Sequence, residues 1–495
     1  MEIEFSKYIV KDPDEFRDGY ESSLNLFRKL QEIKEFKELF KYSGIDLGPM
    51  IQHDILLGFS EIMKNKFSKK KKKSFLDNKK IKVGIKRILK YLKKRENVNE
   101  NKGNSALFFI YSSSQADTLI PVVKQLKRDG GVKVRVIAGS PFAKEMLKKN
   151  KISYNSVEGY LSTKKIPRIL REVKRFNQGW KKLVKNNSFR YGNKNLWPEV
   201  KEKFFQNFLT TIEHIETIKE VIKKEKPGVI ITGTDMDTFG KVEVYLANKI
   251  GVPSIVSQHG AAIDCAYYQP TLADKFVVWG KLTKEMLIRR GYDKKKIFIA
   301  GSTKYDGLPV PKRVPRGEYI LITTQMVSEE EQKKFLEVVI KGTNNLKEKI
   351  LINLHPGQKP DLVKSFLEKY KSKIEIIPGQ PPEGINYFIQ RCKVLVTICS
   401  TTAIDALILK KPVITVNLTG KPDLLPFAKN KAAYGVYADN DFNKALNACL
   451  YKKEVIRRLA KNGEKFLKEY IGNNDGRASI NFSELIKRVL KNGKK

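Results

Sequence analysis

The sequence predicts an α/β chain: two parallel-sheet domains that face each other across a cleft, preceded by a helical region. Three observations predict it. From Ala106 onward, short apolar runs rich in Val and Ile alternate with stretches whose apolar residues recur at helical spacing, the pattern of buried parallel strands and their crossover helices. The alternation stops once, at the Pro-rich basic stretch Pro309–Gly317, which reads as an interdomain linker, and then begins again. Before Ala106 the periodicity is helical only, and it ends in the polar stretch Arg95–Ser105, which reads as a second linker.

In the first region, residues 1–100, Phe16, Tyr20, Leu24, Phe27, Leu30, Ile33 and Phe36 predict a helix over Asp14–Phe40, and another is expected over Ile51–Phe67. A run of five lysines, Lys69–Lys73, precedes a basic amphipathic segment, Ile81–Lys94. That segment suits either an anionic membrane surface or a helix packed on the next domain with a solvated lysine face. The second region, 106–308, opens with the strand Ala106–Tyr111, the polar turn Ser112–Asp117 and a helix over Thr118–Lys127. Strands follow at Val132–Ala138, Val229–Thr232, Ser254–Ser257, Asp274–Trp279 and Ile297–Ala300, with a largely helical, basic stretch over 160–226. The third region, 318–470, repeats the grammar. It has strands at Tyr319–Thr323, Lys349–Leu354 and Ile374–Ile377, then Val394–Cys399, a hydroxyl-rich turn, a short apolar helix and the strand Val413–Val416. Residues 471–495 form a tail with a basic helix, expected to pack back on the second region.

The chain has 495 residues, room for about three domains. No run reaches the 18 or more apolar residues of a membrane span, and the mixed-charge N-terminus does not resemble a secretory signal, so a cytoplasmic protein, peripheral at most to the inner face of a membrane, is expected. The four cysteines show no CxxC pair and no zinc-finger spacing, which supports neither a disulfide framework nor a metal site; Cys392 and Cys399 read as small core residues. A net charge of +42, from 96 Lys+Arg against 54 Asp+Glu, favours anionic partners, although the basic residues are spread along the whole chain. No nucleic-acid motif accompanies the charge, so nucleic acid is not the expected partner.

Ligands of parallel α/β sheets enter at the carboxyl ends of strands, and the candidate residues follow that rule. Of four histidines, His259 and His355 each follow directly on an expected strand, one per domain. They are the candidate catalytic pair, whereas His53 and His214 fall within helical patterns and read as structural. Ser400, Thr401 and Thr402 stand where a strand turns into a helix, whose free N–H groups and positive dipole end suit a diphosphate; Asp405, one turn later, suits ribose hydroxyls or the turn itself. Ser112, Ser113 and Gln115, in the turn after the first strand of the second region, could touch an acceptor. Asp235-Met-Asp237 has the spacing of a metal-binding pair but lies in the domain opposite the expected nucleotide. No GxGxxG appears, which disfavours a dinucleotide. No resident cofactor is expected, a nucleotide-activated donor being a substrate.

The order of these motifs resembles the CDP-glycerol glycerophosphotransferase and capsule or surface-polysaccharide group, on a GT-B glycosyltransferase fold of two Rossmann-like domains. Gln258-His259-Gly260 resembles its His-Gly motif. Gly301-Ser-Thr-Lys-Tyr-Asp306 resembles its Gly-x-Pro-x-x-Asp motif with the Pro missing, and His355-Pro356 its His-Pro motif. Ser400-Thr-Thr-x-x-Asp405 resembles its Ser-Ser-x-x-x-Asp signature, and Asp475–Ser479 a C-terminal segment. The resemblance spans about residues 106–490. It implies a transferase that uses a nucleotide-activated donor, sugar or glycerol-phosphate, to extend a glycan, polyol-phosphate or lipid-linked acceptor, with Gln258 on the acceptor side and Gly301, Lys304 and Arg477 near donor phosphates. Two alternatives stay open: a UDP-N-acetylglucosamine 2-epimerase, which acts on the donor alone, and a non-enzymatic binder of RNA or another polyanion.

Overall fold

A computed structural model describes residues 1–8, 18–67, 105–161, 163–306, 308, 310–325, 327–344, 346–355, 358, 363, 374–379 and 381–493. The lysine run Lys69–Lys73, the basic segment Ile81–Lys94, most of the Arg95–Ser105 linker, and Pro356 with Gly357 lie outside the described residues.

Two parallel sheets organise the chain. The first holds β1 (Ser105–Ile110), β2 (Lys133–Ala138), β3 (Asn155–Ser156), β4 (Val229–Thr232), β5 (Ser254–Ser257), β6 (Lys275–Val278) and β7 (Ile297–Ile299), in the order β7-β6-β5-β4-β1-β2-β3. The second holds β8 (Tyr319–Thr323), β9 (Lys349–Asn353), β10 (Ile374–Ile377), β11 (Cys392–Thr397), β12 (Val413–Val416) and β13 (Tyr434–Val436), in the order β10-β9-β8-β11-β12-β13. Every β1 side chain is buried, as are those of β4, β8 and β12, because crossover helices cover both faces. In each sheet the order reverses between the first and fourth strands, β1/β4 and β8/β11. Neighbouring loops diverge there and leave a crevice at the carboxyl edge.

The first expected helix is interrupted. α1 (Asp18–Glu32) ends before Ile33, whose extended backbone (ψ 120°) starts a separate turn at Lys34–Leu39. The break lets Phe36 and Phe40 turn onto Phe204, with rings 5.6 and 5.8 Å away. α2 (Gly48–Phe67) continues this layer. The stretch 160–226 resolves into α4 (Ile166–Asn186) and the 29-residue α5 (Trp197–Glu225). Between them lies a short strand, Ser188–Tyr191, which pairs in parallel with Glu2–Glu4 at the chain's beginning. Phe27, Phe36, Phe59, Phe176, Trp180 and Phe208 share one core, so the described N-terminal residues and α4–α5 form one helical layer beside the first sheet.

α3 (Ser113–Asp129) starts five residues before the expected Thr118, because the Ser112 side chain caps it by accepting the Gln115 N–H (3.2 Å). α6 (Thr238–Lys249) follows β4, and α7 (Thr402–Ile408) follows β11. α8 (Lys453–Tyr470) crosses back: a Cβ on Gly280 at the end of β6 would lie 2.4 Å from the Glu469 carbonyl. α9 (Ala478–Asn492) then packs Phe482, Leu485, Ile486 and Leu490 into the core of the first sheet with Phe108, Leu119 and Val277.

Candidate active site

The first sheet's crevice is walled by loops after β1, β4 and β5. The Nδ1 of His259, just past β5, lies 2.8 Å from the Gly233 carbonyl oxygen. A carbonyl only accepts, so Nδ1 carries the proton and Nε2 keeps its lone pair, the tautomer a general base requires. Burial of His259 holds its pKa below the ordinary imidazole value, so it is neutral at pH 7. The Gln258 side chain, expected to meet the acceptor, is buried instead: its Nε2 donates to the Gly260 carbonyl (2.8 Å) and its Oε1 accepts the Trp279 N–H (2.9 Å). It shapes the His259 loop. Gln115 is likewise buried, with Oε1 accepting the Tyr111 N–H (2.8 Å) and its side chain where a Cβ on Gly233 would stand. Ser112 is used as the α3 cap, and Ser113 is exposed at the first turn.

Beneath His259 lies a buried network that periodicity alone did not reveal. The Tyr111 hydroxyl donates to Glu243 of α6, and His214 of α5 places Nε2 3.6 Å from the same carboxyl oxygen. The Tyr111 ring stacks on Phe239 (5.0 Å, 10° between planes). Burial pushes the Glu243 carboxyl up to about 8 and the Asp237 carboxyl up to about 7, and depresses His214 to about 4. The Asp235-Met-Asp237 pair is absorbed locally: Asp237 caps α6 through the Gly240 N–H (2.9 Å), and Asp235 accepts from the Thr271 hydroxyl. α2 roofs this corner, with the Lys241 Nζ donating to the Pro49 carbonyl (3.0 Å) and the Thr238 hydroxyl bonded to the Met50 carbonyl and to Asp54. Only Asp235-Met-Asp237 carried a sequence signal. His214 and Glu243 are 29 positions apart on separate helices, and their meeting is a tertiary event.

The second sheet's crevice gathers loops after β8, β9 and β11. The His355 N–H is held by the Thr324 hydroxyl (2.9 Å) and the Gln358 Oε1 (3.2 Å), and burial lowers the pKa of its imidazole. The Thr402 hydroxyl meets that of Thr323 (3.1 Å), and the Cys399 sulfur meets the Gln325 Oε1 (3.8 Å). Cys399 therefore belongs to the half-buried loop after β11, which ends at Thr397, and not to the core. The free N–H groups expected at the start of α7 are occupied. The Thr402 N–H takes the Ser400 hydroxyl (3.2 Å), the Ala403 N–H the Ser400 carbonyl (3.1 Å) and the Ile404 N–H the Thr401 carbonyl (2.9 Å). What faces the crevice is a set of hydroxyls, with Thr401 exposed and Ser400 and Thr402 half-buried.

The two crevices meet. Ala261 and Ile263, just after His259, pack into the core that holds Ala403 and Ile404 of α7. Asp405 is buried in this junction, its carboxyl pKa raised by burial and drawn down by Lys304 of the first layer. Lys304 also faces Asp117 of α3, and its ammonium stands 4.9 Å from the Tyr305 ring centroid. So Asp405 and Lys304 belong to the joint between layers, not to an open ribose or phosphate pocket. Gly301 (φ +94°) is explained by packing, since a Cβ there would lie 2.9 Å from that of Ala478. Asp306 caps α9, accepting from the Ala478 N–H (3.2 Å), the Ser479 N–H (2.7 Å) and the Ser479 hydroxyl (2.5 Å). The two motifs Gly301–Asp306 and Asp475–Ser479 are thus one joint. Arg477 is exposed at its edge, its N–H bonded to the Asp475 carboxylate (3.1 Å). Among the described residues, no group of three His, Cys, Asp or Glu side chains could hold a metal ion, and no helix is long and apolar enough to cross a membrane.

Two Rossmann-like sheets with their carboxyl-edge crevices turned to one cleft define a GT-B-like α/β protein. Solved structures of that fold match over most of the chain. UDP-GlcNAc 2-epimerase from Neisseria meningitidis, bound to UDP-GlcNAc, has 13% identity and a TM-score of 0.53 over 78% of this chain and 100% of its own. The UDP-GlcNAc 2-epimerase of Methanocaldococcus jannaschii has 16% and 0.51 over 78% and 99%, and S. aureus MnaA with UDP has 14% and 0.52 over 78% and 97%. At such identities the likeness establishes the fold. No curated protein sequence matches. The family description LIC12162 family transferase matches residues 59–418, nearly three quarters of the sequence, and the chain belongs to this family of transferases.

Proposed function

We propose that the protein moves a group from a nucleotide-activated donor, a nucleotide sugar or a CDP-glycerol-like diphosphate, onto a hydroxyl of a cell-surface glycan, polyol-phosphate or lipid-linked acceptor. The observation that carries the reading is that the loop after His259 packs, through Ala261 and Ile263, against the core of α7, the helix that Ser400, Thr401 and Thr402 begin, while His259 keeps its Nε2 lone pair. Membership of a transferase family supports group transfer over isomerisation. Fold relatives with UDP-GlcNAc or UDP bound make uridine nucleotides the first to test. The net charge of +42 suits an anionic acceptor.

In this reading residues 106–308 serve the acceptor and 318–470 the donor. His259 Nε2 takes the proton from the acceptor hydroxyl as its oxygen bonds to the transferred carbon or phosphorus. The bond to the leaving nucleotide breaks, and the departing phosphate oxygen gathers the charge. The Ser400, Thr401 and Thr402 hydroxyls and the neutral His355 imidazole donate hydrogen bonds to that charge, the larger part of such catalysis. Phosphate binding exchanges the local Ser400 cap for bonds to the ligand.

The test is thermal stability of the wild type and of His355→Ala in CMP, CDP, UDP and GDP. A ligand at 100 times its Kd stabilises by about 2.7 kcal/mol. One nucleotide is expected to raise the Tm of the wild type, with His355→Ala folding equally well but losing most of the rise and most of the turnover. A wild type indifferent to all four, or a free UDP-sugar interconverted with no acceptor present, overturns the proposal.

A further inference from the structure

Outside the cleft, one groove has no part in the site described above. It encloses about 410 Å³, within the range of small-molecule pockets, and runs along α3. Asp117, Ile120, Pro121, Lys124, Gln125 and Arg128 lie at helical spacing on the face that forms its floor. The end of the neighbouring helix, at Met146 and Asn150, makes one wall, and Asp306 with the start of α9 makes the other.

The groove is polarised along its length. At the end nearest the cleft stands Asp117, beside Lys304, which in turn faces Asp405 of the second layer. Pro121 sits inside α3 and has no N–H to give the Asp117 carbonyl, so this end offers a backbone acceptor as well as a carboxyl. About 10 and 16 Å further along the helix, at 1.5 Å per residue, stand Lys124 and Arg128. Both are exposed, and among the described residues neither has a carboxylate partner; Lys124 donates only to the Asn150 side chain (2.8 Å). The adjacent Asp129, by contrast, is paired with Lys487 (2.7 Å). Asp306 is spent on capping α9 and adds no free acceptor. Among the described residues no aromatic ring lines the groove to stack a nucleotide base.

Acceptors at one end and unpaired cations at the other fit a ligand with hydroxyl groups toward the cleft and an anion behind them. We infer that this groove binds the trailing part of the acceptor, a polyol or sugar chain that carries phosphate, with its hydroxyls on Asp117 and its phosphate on Lys124 and Arg128. The inference rests on the transferase reading for the word acceptor, while the binding itself does not. The groove then holds the chain with its hydroxyls at the end where Asp117 stands beside Lys304.

The probe is a synthetic tri(glycerol phosphate), with triglycerol as the uncharged control and inorganic phosphate as competitor, titrated calorimetrically into the full-length protein. The wild type is expected to bind the phosphorylated chain at least tenfold more tightly than triglycerol or phosphate alone. The exposed double variant K124Q/R128Q is expected to lose at least tenfold with unchanged Tm, and D117N to lose severalfold. Equal binding by the double variant, or equal binding of triglycerol, overturns the inference, as does phosphate binding as tightly as the chain, which would mark an anion site only. The nucleotide response of the same variants separates the two readings. Groove binding without any nucleotide response sinks the donor site and leaves the groove, and a normal nucleotide response with no groove binding does the reverse.

Discussion

His214 and His259 both stand at the carboxyl edge of the first sheet, and their partners give them opposite chemistry. His259 donates its Nδ1–H to a backbone carbonyl and keeps the lone pair on Nε2. His214 is sealed between Phe239 (4.8 Å) and Glu243, and burial keeps it neutral down to about pH 4. Burial, opposed by hydrogen bonds from the Tyr111 and Thr232 side chains, holds the Glu243 carboxyl protonated, its pKa pushed up to about 8. The sign follows. In the unfolded chain a glutamate ionises near pH 4.5, so between about pH 4.5 and 8 the folded state binds the extra proton and stability falls as pH rises. Glu243→Gln keeps the shape and the acceptor for Tyr111 but cannot ionise. Its Tm is therefore expected to fall less between pH 5 and pH 9 than that of the wild type, with a relative gain of at least about 2 °C at pH 9, since one pKa unit is about 1.4 kcal/mol. Parallel Tm-against-pH curves for the two proteins would mean that Glu243 is ionised throughout.

α6 shows what spacing alone leaves opaque. In the sequence Asp237 stands out only by its spacing from Asp235, yet it is the N-cap of α6, and Gly240 stands in the first turn that it opens. A glycine inside a helix is normally about 1 kcal/mol worse than alanine, so Gly240→Ala should stabilise on propensity alone. The loop after β4 reverses the expectation. The Thr234 carbonyl oxygen lies 1.6 Å from where the new Cβ would stand, and it belongs to backbone that cannot swing aside. Overpacking of about 1–3 kcal/mol or more outweighs the propensity gain. Gly240→Ala is expected to lower the urea midpoint without changing the m-value, and a midpoint equal to or above that of the wild type would show that the loop gives way. α7 carries the same lesson. Ser400, Thr401 and Thr402 announced a helix start, but only the fold reveals that Ser400 already satisfies its first N–H groups.

At the scale of the molecule, the alternation of apolar strands and amphipathic helices encoded both sheets and the break between them, because buried parallel strands leave a local signature. Contacts between distant segments leave none. Nothing near residue 2 announces that Glu2–Glu4 pairs with Ser188–Tyr191, and nothing near Asp306 announces that it caps a helix 172 residues later. For the same reason, residues read as phosphate contacts, Gly301 and Arg477 among them, prove to stand at a joint. That joint has an energetic consequence. α9 is the chain's last helix, yet Phe482, Leu485, Ile486 and Leu490 are almost wholly buried in the core of the first sheet, and Lys487 pairs with Asp129. At about 1.5–3 kcal/mol for each buried apolar side chain, the four together contribute roughly 6–12 kcal/mol. Domains are stable by only about 5–15 kcal/mol in total, so the first layer cannot spare them. A chain ending at Arg477 is therefore expected to lose the near-ultraviolet circular dichroism and cooperative urea unfolding of the first layer, although it retains every residue proposed to touch donor or acceptor hydroxyl. If instead it unfolds cooperatively within a few degrees of the full-length protein, the two layers are independent of the tail, and the joint of Asp306 with α9 is ornament to the fold rather than its closure.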